Sequence, residues 1–106
     1  MTNDKSRHRL EVQWSDEAME QVDRIKAFIL VQWSFREVNA FMELIRKFEE
    51  LVSQYPNGYQ RSERYLDCRR AVVHPNVSIV YEVNRDTIDI VTVYDNRAAS
   101  PEEGNL

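Results

Sequence analysis

The sequence is 106 residues long, which gives room for one domain with a modest core and excludes a multidomain arrangement within it. Hydrophobic residues make up 42% and charged residues 30%, which excludes a chain that is disordered throughout, and the net charge of −4 excludes a general electrostatic attraction to nucleic acid. The single cysteine, Cys68, cannot form an internal disulfide, and no apolar run approaches the ~18 residues of a membrane helix. We therefore expect a cytoplasmic protein that does not enter a membrane.

The chain begins with a predicted strand and helix. Leu10, Val12 and Trp14 alternate with polar residues, which is the period of a half-buried strand. Ser15 ends this alternation and is a favourable N-cap, because its hydroxyl can accept a hydrogen bond from a free amide of the first helical turn. The apolar spacing that follows predicts a first helix that runs to about Gln32.

A second helix follows at once, and the two form a helical hairpin. Ser34 and Glu37 make a capping box, which indicates a new helix start rather than one long helix. The turn at Tyr55-Pro56-Asn57-Gly58 ends this helix, since proline cannot continue it. Apolar residues lie three or four positions apart along one face of the second helix: Val38, Phe41, Ile45, Phe48 and Val52.

Three strands are predicted in the second half of the chain. Residues 59–67 have no clear period and are interpreted as a loop. The strands cover residues 69–74, 77–83 and 88–94, with a hairpin turn at residues 84–86 between the last two. The last strand is apolar at nearly every position, which is typical of a central strand covered on both faces.

The predicted fold class is α+β, with the order β-α-α-β-β-β. We expect an antiparallel sheet from the last three strands, extended by the N-terminal strand, with the helical hairpin on one face. Residues 1–8 and 98–106 are expected to be flexible, and residues 9–97 to form a single domain. Five aromatic residues lie on apolar periods and are expected in the core: Trp14, Trp33, Phe41, Phe48 and Tyr81.

Four stretches, taken in order, are similar to a known family: Val12 to Ala18, Cys68 to Val73, Ser78 to Val83 and Val93 to Arg97. A helix break at Trp33 and the Tyr55-Pro56 turn fall between them. In this arrangement the chain resembles the RelE/ParE superfamily of bacterial toxins, which includes proteins described as plasmid-stabilisation proteins. The resemblance covers roughly residues 9–98 and implies the toxin of a type II toxin-antitoxin system, which inhibits growth.

The resemblance implies one of two activities. RelE-type toxins cut mRNA on the ribosome, and ParE-type toxins bind DNA gyrase without cutting a bond. For a nuclease, Arg70 and Arg97 would hold the phosphate, and His74 is the one candidate general acid or base. The position that usually carries the central arginine is Ser78 here, and no Tyr or His follows Arg97.

This incomplete set favours a ParE-like toxin. Whether the protein is an enzyme stays open, and the missing residues favour a protein without enzymatic activity. The alternatives are a RelE-type mRNA endonuclease and a non-toxic partner-binding module of the same fold. No metal or cofactor is expected, because the histidines and Cys68 lack ligand spacing and no phosphate-binding glycine loop occurs.

Arginines are the expected target- or partner-binding residues, because the planar guanidinium makes paired hydrogen bonds to carboxylates and phosphates. The alternative is intramolecular ion pairing, for instance Arg97 with Asp95 or Arg69 with Asp67. The candidates for binding are Arg61, Arg64, Arg69, Arg70 and Arg97.

The resemblance further implies a cognate antitoxin, which in such pairs commonly wraps the toxin as a helix and an extended segment. Phe28, Phe35 and Met42, on the outer side of the helical hairpin, are the candidate docking residues. They could equally complete the core of this chain.

Overall fold

The computed structural model describes residues 9–96. The predicted flexible segments 1–8 and 98–106, and Arg97, lie outside these residues. The elements are β1 (Glu11–Trp14), α1 (Asp16–Gln32), α2 (Phe35–Gln54), β2 (Gln60–Arg61), β3 (Arg69–His74), β4 (Val77–Val83) and β5 (Thr87–Asp95). The α+β class and the predicted elements are confirmed, and one short strand, β2, is added within the predicted loop.

The five strands form one sheet in the order β1-β5-β4-β3-β2. The strands β2 to β5 pair antiparallel, but β1 pairs parallel with β5, with Val12 opposite Ile88 and Trp14 opposite Ile90. The sheet is therefore mixed rather than wholly antiparallel. The physical reason is the long connection between β1 and β5, since parallel pairing needs a crossover much longer than a hairpin turn.

Serine side chains cap both helices. At α1, the Ala18 amide donates to Ser15 Oγ at 3.0 Å, and the Ser15 hydroxyl donates to the carbonyl of Val91 at 2.9 Å. At α2, the Arg36 amide donates to Ser34 Oγ at 3.2 Å, and the Ser34 hydroxyl donates to the Glu37 carboxylate. The predicted helix starts are confirmed, and Ser15 also ties the start of α1 to β5.

The core lies between the helices and one face of the sheet. Phe48, Tyr59 and Tyr81 form an aromatic cluster with ring centroids 5.8 to 6.1 Å apart, and the Tyr81 hydroxyl donates to the Pro56 carbonyl at 2.7 Å. The core prediction is wrong for Trp33, which is 57% exposed. Trp33 is the C-cap of α1, at the point where the helix ends.

Candidate functional site

The register of β3 places its two arginines on opposite faces of the sheet. Arg69 lies opposite Tyr81, whose side chain points to the helices, and Arg70 lies opposite Val80 on the other face. We call that other face, which lies away from the main core cluster, the open face, although Ser78 and Val80 on it are buried. Neighbouring residues of a strand point to alternate faces, so the Arg69 and Arg70 side chains leave β3 on opposite faces of the sheet.

Arg70 is exposed on the open face, but a hydrogen-bond network through the buried Ser78 fixes the base of its guanidinium. Its Nε donates to Ser78 Oγ at 3.1 Å, and the Ser78 hydroxyl donates to Asn96 Oδ1 at 2.9 Å. Asn96 in turn donates from Nδ2 to the Pro75 carbonyl at 3.1 Å. Ser78 is fully buried. The two terminal nitrogens of Arg70 have no partner within residues 9–96, so they are available to donate hydrogen bonds to an anion.

A β-bulge turns His74 away from Arg70. The register shifts between Val72 and His74, and His74 then lies opposite Val77, a core residue. An extra residue in one strand reverses the alternation of its side chains beyond that point. His74 therefore lines a cleft on the helix side, whereas Arg70 stays on the open face. The structure does not bring these two nuclease candidates together.

The His74 ring is also part of the β3–β4 turn. Its Nδ1 accepts a hydrogen bond from the Asn76 amide at 3.1 Å, which assigns the proton of a neutral ring to Nε2. The cleft beside it has a volume of about 330 Å³ and is mainly apolar, with Phe28, Trp33 and Phe41 among its lining residues. His74 thus acts as a turn residue at the edge of an apolar cleft.

The remaining arginine candidates lie near the β2–β3 connection. Arg61 is exposed on β2, directly opposite Arg69, and Arg64 stacks with its guanidinium carbon 5.5 Å from the centre of the Tyr65 ring. The Ser62 hydroxyl accepts hydrogen bonds from the amides of residues 64 and 65, which shapes this loop. Arg69 does not pair with Asp67 as the alternative suggested, because its Nη1 donates to the Tyr59 carbonyl at 2.6 Å.

The antitoxin-docking candidates are not contiguous. Phe28 is 44% exposed, packs edge-on against Trp33 at 6.2 Å and lines the cleft beside His74. Met42 is half-buried and lines a separate groove between the two helices on the β1 side. Phe35 is 71% exposed at the start of α2. The helical hairpin therefore presents two apolar grooves rather than one.

Sequence reasoning missed the role of Ser78. It treated this serine only as the absence of an arginine, whereas the structure shows it holding Arg70 and Asn96. A signal was available, because a serine in an otherwise apolar strand needs a hydrogen-bond partner when it is buried. The identity of that partner depends on the β3–β4 register, which the sequence alone does not give.

Burial alters the acidity of two side chains near these residues. It raises the pKa of Tyr81 to about 12, which the nearby charge of Arg69 partly opposes. It also raises the pKa of the Cys68 thiol, with the carboxylates of Glu82 and Asp67 adding to the effect. Cys68 is therefore held as a neutral thiol, which opposes a nucleophilic role.

No group of three or more candidate metal ligands occurs within residues 9–96. In the same part of the chain, no helix is long and apolar enough to cross a membrane.

Comparison with known families decides the identity. Residues 12–99 match the family of the ParE toxin of type II toxin-antitoxin systems, parDE. The chain belongs to the ParE toxin family. This ParE-family chain carries Ser78 and, bonded to it, Arg70, which lies away from His74. A search of curated sequences finds no matching protein.

Solved structures share the ParE-family fold at low sequence identity. A chain of the chromosomal ParDE system from P. aeruginosa has a TM-score of 0.71 at 16% identity, over 83% of this chain and 97% of that one. The protein HP0894 from Helicobacter pylori has a TM-score of 0.55 at 18% identity, over 83% and 96%. A chain of the E. coli DinJ-YafQ toxin-antitoxin complex has a TM-score of 0.59 at 10% identity, over 85% and 96%. These likenesses establish the fold.

Proposed function

We propose that this ParE-family toxin inhibits bacterial growth by binding DNA gyrase in the cytoplasm, and that it does not cut mRNA. The observation that carries the proposal is the separation of Arg70 from His74 by the β3 bulge. Cleavage of RNA needs a cation and a proton-transfer group at the same phosphate. A binding toxin needs no such set.

In this proposal Arg70 is the main target contact. Its Nε is held by Ser78, so its two terminal nitrogens face solvent in a fixed orientation. A pre-oriented guanidinium loses little side-chain entropy when it binds, which makes each hydrogen bond more favourable. Arg97, which follows Asn96 directly, is the second proposed contact.

A cognate antitoxin is the proposed partner that neutralises the toxin. The two grooves of the helical hairpin support this role, because an amphipathic helix binds by placing its apolar face in such a groove. Met42 lies in one groove and Phe28 in the other. The P. aeruginosa and E. coli relatives are described as parts of toxin-antitoxin systems, which supports the same interpretation.

The proposal is tested with purified protein and DNA gyrase in a supercoiling assay. We expect the parent protein to inhibit supercoiling. Arg70→Ala should require a roughly 10- to 100-fold higher concentration for the same inhibition, which corresponds to the loss of one charge-assisted hydrogen bond. Ser78→Ala should lose less, because the guanidinium keeps its charge. Arg85→Ala, an exposed arginine in the β4–β5 turn, is the matched control and should inhibit like the parent.

Two results would contradict the proposal. Cleavage of ribosome-bound mRNA, detected by primer extension after expression, would assign the RelE-type activity instead. Normal growth after expression without a partner would favour a non-toxic binding module. A neighbouring gene for a small antitoxin-like protein, when co-expressed, should restore growth if the toxin assignment is correct.

A further inference from the structure

Two arginines face each other directly at the β2 edge of the sheet. Arg61 and Arg69 are opposite residues of the antiparallel β2–β3 pair, so their side chains leave the same face. Like charges in this arrangement destabilise a strand pair. The pair is only two residues long, so β2 gains little that would offset this repulsion.

Neither arginine of this pair forms a salt bridge within the part of the chain that the structure describes. The Nη1 of Arg69 is held by the Tyr59 carbonyl, and Tyr59 belongs to the aromatic cluster of the core. The Arg69 guanidinium is thus anchored in place, while its remaining N–H groups and the Arg61 side chain have no hydrogen-bond partner within residues 9–96.

The two arginines line a small polar pocket where β2, β3, the end of β4 and the turn after α2 meet. Its volume is about 260 Å³. Asp67 also lines it and has a left-handed backbone with φ 62°, a conformation that non-glycine residues rarely adopt. The lining residues are Asn57, Arg61, Asp67, Cys68, Arg69 and Val83.

We propose that this pocket binds the carboxylate of an acidic peptide segment. Among the residues that line the pocket, two guanidinium groups and the Asp67 carboxylate leave one net positive charge. The Glu82 carboxylate, which acts on the Cys68 thiol from beside the pocket, reduces this charge further, so a single carboxylate fits better than a doubly charged phosphate. The planar forks of Arg61 and Arg69 match the two oxygens of a carboxylate, and the Asn57 amide adds a neutral donor. This site lies apart from Arg70 and does not depend on the proposed action on gyrase.

The test is an NMR titration of the nitrogen-15-labelled full chain at low ionic strength, where screening is weak. The probe is a blocked pentapeptide with one glutamate among glycines, and the matching glutamine peptide is the control ligand. We expect saturable shifts of the arginine Nε–H signals of Arg61 and Arg69 with the glutamate peptide only. Inorganic phosphate and a short RNA oligonucleotide should bind more weakly than the glutamate peptide.

Three variants sharpen the test. Arg61→Gln replaces an exposed side chain and should keep the fold. It should weaken binding of the glutamate peptide by roughly three- to tenfold, as expected for the loss of one charge-assisted hydrogen bond at a partly exposed site. Asp67→Asn should tighten it by roughly two- to fivefold, because it removes the opposing charge and asparagine tolerates the left-handed backbone. Arg85→Gln is the control and should change nothing.

Several outcomes would overturn the assignment. Tighter binding of phosphate or RNA would assign a phosphate site, and equal shifts with the glutamine peptide would exclude recognition of a carboxylate. Weaker binding of the glutamate peptide to Asp67→Asn would exclude the proposed geometry. So would a loss of affinity in Arg85→Gln as large as the loss in Arg61→Gln. A failure of gyrase inhibition would leave this site standing, since the titration does not involve gyrase.

Discussion

Tyr81 brings a hydroxyl group into the centre of the core, and this has a pH-dependent cost. The residue is fully buried, its hydroxyl donates to the Pro56 carbonyl, and burial raises its pKa to about 12. In the unfolded chain an ordinary tyrosine ionises near pH ~10. Above that pH the unfolded state gives up a proton that the folded state retains, so stability falls as pH rises from about 10 to about 12.

We predict that Tyr81→Phe reduces this fall in stability. The variant loses one hydrogen bond and should be about 1 kcal/mol less stable at pH 8. The free energy of unfolding, measured with urea at pH 8 and pH 11, should then drop less than in the parent. Part of the drop remains, because burial also raises the pKa of Tyr59.

The control for this prediction is Tyr55→Phe, which changes an exposed tyrosine. It should keep the full pH dependence of the parent. An unchanged pH dependence in Tyr81→Phe would show that Tyr81 is not the group that resists ionisation in the folded protein.

At the scale of elements, the two capping serines differ in what they hold. Ser15 caps α1 and donates to the Val91 carbonyl at the irregular part of β5, whereas the exposed Ser34 forms its side-chain hydrogen bonds within residues 9–96 only to its own helix. We predict that Ser15→Ala costs about 1–2 kcal/mol and Ser34→Ala about 0.5–1 kcal/mol. Urea unfolding followed by circular dichroism measures both, and equal losses would contradict a role of Ser15 beyond its own helix.

The elements were largely predictable because their signals are local. The serine caps and the apolar stripe of α2 depend on residues three or four positions apart, and the alternation in β4 depends on its own seven residues. Strand β2 was not predictable, because two residues cannot show a period. It exists through pairing with Arg69 and Arg70, which only the tertiary structure supplies.

The candidate site was less predictable than the elements for the same reason. Arg69 and Arg70 are adjacent in sequence, yet the pleat separates them, and the bulge reverses the orientation that alternation predicts for His74. Trp33 follows the helical period but lies where α1 ends, so the period no longer defines its surroundings. Register and chain reversal are properties of paired elements, not of a single segment.

At the scale of the whole molecule, β1 joins the two layers. It pairs with β5 in the sheet, and the Trp14 indole Nε1 donates to the Glu49 carboxylate on α2 at 2.6 Å. The Ser53 hydroxyl, also on α2, donates to the Leu10 carbonyl at 2.7 Å. The N-terminal strand thus fixes the helical hairpin against the sheet.

We predict that Trp14→Phe destabilises the whole domain by about 1–3 kcal/mol, because the half-buried carboxylate loses a charge-assisted partner as well as packing. Glu49→Gln is the matched variant, since its amide oxygen still accepts the indole hydrogen bond, and its loss should be smaller. Guanidinium unfolding followed by circular dichroism measures both. A larger loss in Glu49→Gln would contradict the role given to the indole N–H.

The bulge in β3 also has a consequence for how the free toxin behaves in a crowded cell. On the edge of β3 away from β4, β2 covers only Arg69 and Arg70, so within residues 9–96 the rest of that edge has no strand beside it, and Val72 is 53% exposed there. A straight edge of this kind would be a template for pairing with a second copy. The extra residue at Val72–His74 twists the edge, and Pro75 directly after it offers no amide hydrogen. The irregularity that moves His74 from the open face therefore also keeps unpartnered copies from joining edge to edge.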